Sequence, residues 1–260
     1  MSEITRLALE KDRRAILEAR AQGAAAFPEL QILARNEDDE IREIALYGLD
    51  EIGDRRASPI FVEALLDRGP MVRGVAMRAL LKRPDPAVYD LLLDAYDKSP
   101  EPVVRHTIAL IIGLIGAPTA KPADLLRRFE AESDPFAEEG CIVALAKLGD
   151  ERAQERFTEL LAASRGRDRG RFLEHADYLH APWVIHALRP VLDDLTPLLR
   201  IGIDGVPGPE YLRACDLAVN LVAAISGWHF SFPVDRNINY SAADLAEVQR
   251  FVDATPNPGK

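Results

Sequence analysis

The chain has 260 residues, 48% of them hydrophobic and 28% charged, with a formal net charge of −10. That length and apolar share are enough to bury a full core as one or two domains without staples, which excludes the small stapled class. The acidic sign repels phosphate backbones, so it argues against a broad nucleic-acid surface and favours capture of a basic protein. Aromatic residues are only 7%, while alanine and leucine abound, and this predicts helices rather than sheets. Cys141 and Cys215 lie far apart in apolar surroundings with no CxxC pairing. They predict buried thiols in a reducing cytoplasm. The first residues, MSEITRLALEKDRR, are charged from the outset and carry no apolar leader.

In chain order, residues 5–23 predict an amphipathic helix and 28–36 its partner. Together they make residues 1–37 an N-terminal cap, joined to the next segment by the acidic run NEDDE (36–40). From residue 38 one pattern recurs. An aliphatic residue precedes an arginine at Ile41 and Arg42, at Val72 and Arg73, and at Val104 and Arg105. Apolar residues follow three positions later (Ala45, Ala76, Ile108) and seven positions later (Leu49, Leu80, Ile112). Gly53 and Gly116 close two of these copies, where helices stop. A fourth copy, 134–150, keeps Cys141, Leu145 and Gly149 in register but has Glu138 in the arginine slot. The slots 42, 73, 105 and 138 are spaced by 31, 32 and 33 residues, the length of one helix–turn–helix unit.

Partner helices are predicted between the copies at 58–69, 85–99, 121–133 and 151–164, with Pro59, Pro86 and Pro122 near three of the starts. The apolar run from Thr107 to Pro118 is shorter than the roughly 20 residues that span a bilayer. It reads as a helix buried by its own partner and by its neighbours in a stack.

An acidic or proline-bearing turn, then Val or Ile and Arg, then small and aliphatic residues ending in glycine resembles HEAT repeats. The likeness is to the short bacterial type also found in phycobilisome-lyase-like proteins, and it covers about residues 38–164. It implies an all-α fold, a right-handed α-solenoid of stacked antiparallel helix pairs forming a single domain over 1–260. In such repeats the arginine bonds an acidic side chain or backbone groups of an adjacent repeat. By that resemblance Arg42, Arg73 and Arg105 form a structural ladder with partners among Asp38, Asp67 and Glu101. Planar guanidinium suits the task, because it stays charged when partly buried and satisfies several carbonyls at once. Glu138 interrupts the ladder.

Residues 165–260 form divergent C-terminal repeats and a cap. SRGRDRGRF (164–172) reads either as a flexible basic loop or as an arginine cluster that grips phosphates or an acidic surface. GIDGVPGPE (202–210) is a glycine- and proline-rich loop, and 211–227 is a long apolar helix with Asn220 at its middle. Ser241 and Asp244 resemble a capping pair opening a last helix, 242–253. Ahead of it lies the least generic stretch, WHFSFPVDRNINY. Its Trp228, His229, Phe232, Asp235, Arg236, Asn239 and Tyr240 are candidate partner-binding residues, since aromatics beside arginine are enriched at binding hot spots. The same aromatics could instead seal the last repeat.

No P-loop, GxSxG, HExxH or GxGxxG signature is present. None of the five histidines is followed by Glu, unlike the repeated His-Glu pairs of HEAT-like di-iron hydroxylases, so neither a metal nor another cofactor is expected. The expectation is a non-catalytic, cytoplasmic, protein-binding scaffold for a basic partner, without membrane or nucleic-acid binding. Bacterial immunity proteins that neutralise a toxin are similar in size and type. The alternatives are a HEAT-like enzyme, tetrapyrrole lyase-like or DNA glycosylase-like, and a regulatory or assembly adaptor.

Overall fold

The computed structural model describes residues 1–117, 119–202 and 209–256. Among these the chain is mostly helical, with one small two-stranded sheet. Two compact units emerge from the internal contacts, Met1–Leu148 and Gly149–Lys260.

In the first unit the 5–23 segment is two helices, α1 (Glu3–Leu9) and α2 (Arg14–Gln22), rather than one. The break has a local cause. Lys11 takes a left-handed φ of 59°, and the Asp12 carboxylate accepts the Arg14 N–H at 2.9 Å. Outer helices α3 (Phe27–Leu33), α5 (Ser58–Ala64), α7 (Tyr89–Lys98) and α9 (Pro122–Ala131) alternate with inner helices α4 (Asp39–Ile52), α6 (Pro70–Lys82), α8 (Pro102–Ile115) and α10 (Pro135–Lys147). Each outer helix packs on the inner helix that follows it, and the inner helices pack on one another in order, α4 on α6, α6 on α8, α8 on α10. This is the stacking of an α-solenoid.

The stacking explains why α8 is apolar nearly all round. Val104, Ile108, Ile111 and Ile112 are fully buried, each contributing about 1.5–3 kcal/mol relative to exposure. Pro102 starts the helix, where its missing N–H costs little. Close approach of α10 requires Gly140, where a Cβ would lie 2.8 Å from the His106 Cα and carbonyl oxygen. His106 stacks on Phe136 with centroids 4.2 Å apart, so this histidine is a packing residue of the α8–α10 contact. Gly53 ends α4 in the left-handed region at φ 66°, where a side chain would be strained.

The second unit contains α11 (Glu151–Ala163), α12 (Gly166–Leu179), α13 (Val184–Ala187), strands β1 (Pro197–Arg200) and β2 (Tyr211–Arg213), α14 (Ala214–Ser226) and α15 (Ala242–Ala254). Phe157 of α11 meets Phe172 and Trp183 edge-on, at 5.9 and 5.8 Å, in its core. β1 and β2 pair antiparallel with a register irregularity between Pro197 and Leu199.

Two expectations change here. The arginine-rich segment 164–172 is not a flexible loop, because most of it is the first turns of α12. The 211–227 segment begins as a strand and becomes helical only at Ala214, where the Asp216 carboxylate accepts the Arg213 N–H at 2.8 Å and fixes the helix start. Most of the 202–210 loop lies outside the described residues. No described helix is long and apolar enough to cross a membrane.

Candidate functional site

The arginines of the repeat make one geometry. Arg42 on α4 forms a two-pronged pair with Asp67, Nε and Nη2 each donating at 2.7 Å. Its Nη1 donates to the carbonyls of Asn36 and Glu37, both at 2.8 Å. Arg105 on α8 pairs with Glu132 through Nε at 2.8 Å and Nη2 at 3.0 Å, and donates to the Ser99 carbonyl at 3.0 Å. Arg73 on α6 donates to the Asp67 and Arg68 carbonyls at 2.8 and 3.2 Å, but its ion pair with Glu101 is long, 3.9 Å. Each guanidinium thus ties the turn before its own helix, and its charge is directed at a carboxylate at the next turn.

Asp38 is not a partner of these arginines. It caps α4 through the Glu40 N–H at 3.0 Å and pairs with Lys11 at 2.8 Å. Glu132, which the sequence reading did not single out, is the partner of Arg105. The Arg105 guanidinium outweighs burial and, with the Asp134 and Ser133 N–H groups and the Tyr96 hydroxyl, holds the Glu132 carboxyl down to about 2. Tyr96 O–H donates to Glu132 at 3.0 Å and lies 3.2 Å from the Cys141 sulfur. Burial pushes the Cys141 thiol up to about 11, so it is no ready nucleophile.

The same motif recurs at Arg169, 31 residues beyond the Glu138 slot. Arg169 is 3% exposed. It donates to the Ser164 carbonyl at 2.7 and 3.1 Å and lies 3.5 Å from Asp194. Of the four arginines in SRGRDRGRF, this one is thereby withdrawn from any phosphate grip.

The candidate partner-binding residues divide into holders and displayed groups. Asp216 on α14 is fully buried. Its two oxygens accept from Arg213 N at 2.8 Å, Arg213 Nε at 2.9 Å, Arg213 Nη2 at 2.7 Å, Asn239 Nδ2 at 2.6 Å and Tyr240 N at 3.0 Å. Burial alone would raise this carboxyl, but the guanidinium and the N–H donors keep it below the ordinary range. One turn further along α14, Asn220 Oδ1 accepts the Tyr240 O–H at 2.7 Å. The same hydroxyl accepts the Asp235 N–H at 3.1 Å. Tyr240 and Asn239 are therefore clamps, with Tyr240 buried. Phe232 is half-buried, its ring 5.3 Å from that of Tyr240 and stacked on Phe230. Trp228 stacks on Phe251 of α15 yet remains 56% exposed. His229, Asp235 and Arg236 are exposed.

Asp235 and Arg236 line a groove of about 550 Å³. Leu173 of α12, Leu198 and Leu199 of β1, Leu217 and Leu221 of α14, and Val234 supply its apolar walls. Glu174 and Asp177, three residues apart on α12, bring two exposed carboxylates to the same groove, and Asn220 lines it as well. Sequence reading did not find Glu174, Asp177 or the leucine walls as a set, because the set exists only once α12, β1 and α14 are packed. Among the described residues no group of three or more His, Cys, Asp or Glu side chains could hold a metal ion.

The repeat geometry has a counterpart among solved structures. A solved structure of similar fold is the complex of CpcE and CpcF of phycocyanin lyase from Nostoc sp. PCC7120, with a TM-score of 0.51 and 17% identity over 82% of this chain and 88% of that one. Human deoxyhypusine hydroxylase in complex with glycerol matches at a TM-score of 0.35 and 20% identity, over 98% of this chain and 91% of that one. No curated protein matches the sequence. The sequence pattern of HEAT repeats matches residues 28–111 and 90–175, more than half of the chain. The chain belongs to the HEAT-repeat family.

Proposed function

We propose that this protein is a non-catalytic, cytoplasmic scaffold that binds a basic partner protein through the 228–240 segment and the groove beside it. The observation that carries this reading is the clamp. A buried carboxylate and an asparagine on α14 fix Asn239 and Tyr240, while Trp228, Asp235 and Arg236 stay at the surface. A surface held in place before binding loses little freedom on association, which favours affinity. Tryptophan and arginine are among the side chains that dominate binding energies. The net charge of −10 speeds encounter with a basic protein and makes the rate sensitive to salt.

A sharper form of the reading is that the basic partner is a toxin domain and this chain neutralises it. The same charge favours that form, and rescue of growth on co-expression with the toxin tests it.

The test of the scaffold itself is affinity capture of the tagged protein from its native lysate at low and moderate salt, with mass spectrometry of the eluate. One stoichiometric basic protein, released as salt rises and not retained by the Trp228→Ala, Arg236→Ala double variant, is the expected result. A coloured eluate without protein partner, or retardation of DNA at low salt, would instead favour an enzyme of the tetrapyrrole- or DNA-handling kind.

A further inference from the structure

The groove of the second unit has a chemistry more specific than an acidic surface. Its walls are aliphatic, from Leu173, Leu198, Leu199, Leu217 and Leu221. At its edge the carboxylates of Glu174 and Asp177 make no hydrogen bond or ion pair among the described residues, in contrast to Asp67, Glu132 and Asp216, each of which pairs with an arginine. Asp235 adds a third carboxylate and Arg236 a single cation, so the edge is acidic on balance. Within the groove, Asn220 has its oxygen committed to the Tyr240 hydroxyl. Its Nδ2 makes no hydrogen bond among the described residues, so what this side chain has to offer a ligand is a donor for an acceptor.

We propose that the groove receives an extended segment of the partner protein, in which an aliphatic side chain sits next to a lysine or arginine. The aliphatic group fills the leucine-lined floor and the cation reaches Glu174 and Asp177. A backbone carbonyl of the segment accepts from Asn220 Nδ2. Charge complementarity selects this occupant, because an acidic segment would face three carboxylates against one guanidinium. A volume of about 550 Å³ holds a few side chains but not a folded domain. The proposal rests on the scaffold reading and narrows it to one recognition element.

The experiment is selection of a random linear-peptide display library on the full chain, followed by fluorescence anisotropy with the synthesised winners. Three proteins are compared: the unaltered chain, the Glu174→Lys, Asp177→Lys double variant, and Leu199→Ser. Glu174, Asp177 and Leu199 are all exposed, and matched melting curves establish that the variants are folded. Enriched peptides are expected to carry Lys or Arg beside Leu, Ile, Val or Met. The double charge reversal should weaken them by about tenfold or more, and Leu199→Ser should weaken them by a smaller factor.

No enrichment over an unrelated scaffold overturns the proposal. So do winners without basic residues, and so does binding indifferent to both variants. Concentration-dependent self-association, abolished by Leu199→Ser, would assign the groove to a second copy of this chain and overturn it too. Lysate capture with the double variant separates the two levels. A natural partner held equally by both proteins leaves the scaffold standing and removes the groove from it.

Discussion

The two units share the turn-tying arginine but differ in what else they do with charge. In Met1–Leu148 the ladder arginines are directed at carboxylates of the next turn, closely so for Arg42 with Asp67 and Arg105 with Glu132. In Gly149–Lys260 one buried carboxylate, Asp216, gathers five donors to hold a loop, and Glu174 and Asp177 are left over at a groove. A repeat stack needs every polar group of its turns satisfied, so charge there is consumed by the fold. A unit that also binds must leave some charge exposed and fix the rest behind it.

The strongest way to break this comparison is at Asp216. Asp216→Ala removes the acceptor for all five donors and strands the partly buried Arg213 guanidinium. Loss of one member of such a buried pair costs about 3–5 kcal/mol. Melting should therefore show the second unit unfolding well below the first, as two separated transitions. A single transition shifted by only a degree or two would mean that the loop is held by its aromatic contacts instead.

The ladder is probed next by acid. Glu132 titrates at about 2 in the folded chain against an ordinary value of 4.5. Between those limits the unfolded state holds the extra proton. The stabilisation is therefore complete above pH 4.5 and is lost as pH falls toward 2. At 1.36 kcal/mol per unit its full size is at most about 3 kcal/mol. Asp67, also held low despite burial, by Arg42 and the Gly69 N–H, adds in the same direction. Glu132→Gln should lower stability at neutral pH and flatten the acid limb of a urea-denaturation profile. An unchanged slope between pH 4.5 and 2 would remove Glu132 from the ladder.

Within the ladder, geometry predicts a ranking. Arg42 is 6% exposed and doubly bonded to Asp67, whereas the carboxylate nearest Arg73 is 3.9 Å away and half in solvent. Arg42→Ala should cost about 2–3 kcal/mol and Arg73→Ala about 1 kcal/mol. Chemical denaturation of the two variants measures this directly, and equal losses would mean that the carbonyl bonds shared by both dominate over the ion pairs.

How much of this could be read from the chain depends on the range of the interactions. Arg42, Arg73 and Arg105 were legible because each repeats the same local task at a spacing of 31 or 32 residues. Arg169 obeys the same spacing but was masked by Arg165, Arg167 and Arg171 around it and by Glu138 in the slot before it. Counting 31 residues past Glu138 would have separated it from its neighbours. Glu132 is not among the candidate partners Asp38, Asp67 and Glu101, because any of several acids near the turns satisfies the pattern and only the path of the chain brings Glu132 to Arg105. The binding stretch 228–240 stood out by composition, yet composition could not sort Tyr240, a buried clamp, from Trp228, an exposed ring. The groove could not be read at all, since its walls come from segments up to 66 residues apart, Gly170 to Arg236. Asp216, three residues after Arg213, was readable as a helix-start acid, but nothing local signals that it also receives Asn239 and Tyr240.

The smallest change separates holding from binding. Tyr240→Phe keeps the ring beside Phe232 and the backbone bond to Asp216, and removes only the hydroxyl that joins Asn220 to the Asp235 N–H. Stability should fall by about 1 kcal/mol. Binding should suffer more than stability does, because Asp235 and Arg236 lose the bond that fixes their place at the groove and must be ordered anew by the partner. Amide exchange should quicken at Asp235 while the α14 amides keep their protection. If partner affinity falls only in step with stability, the hydroxyl is part of the fold alone. A larger loss of affinity in a variant that melts nearly as the unaltered chain does would mean that α14 serves as the base on which the binding edge is built.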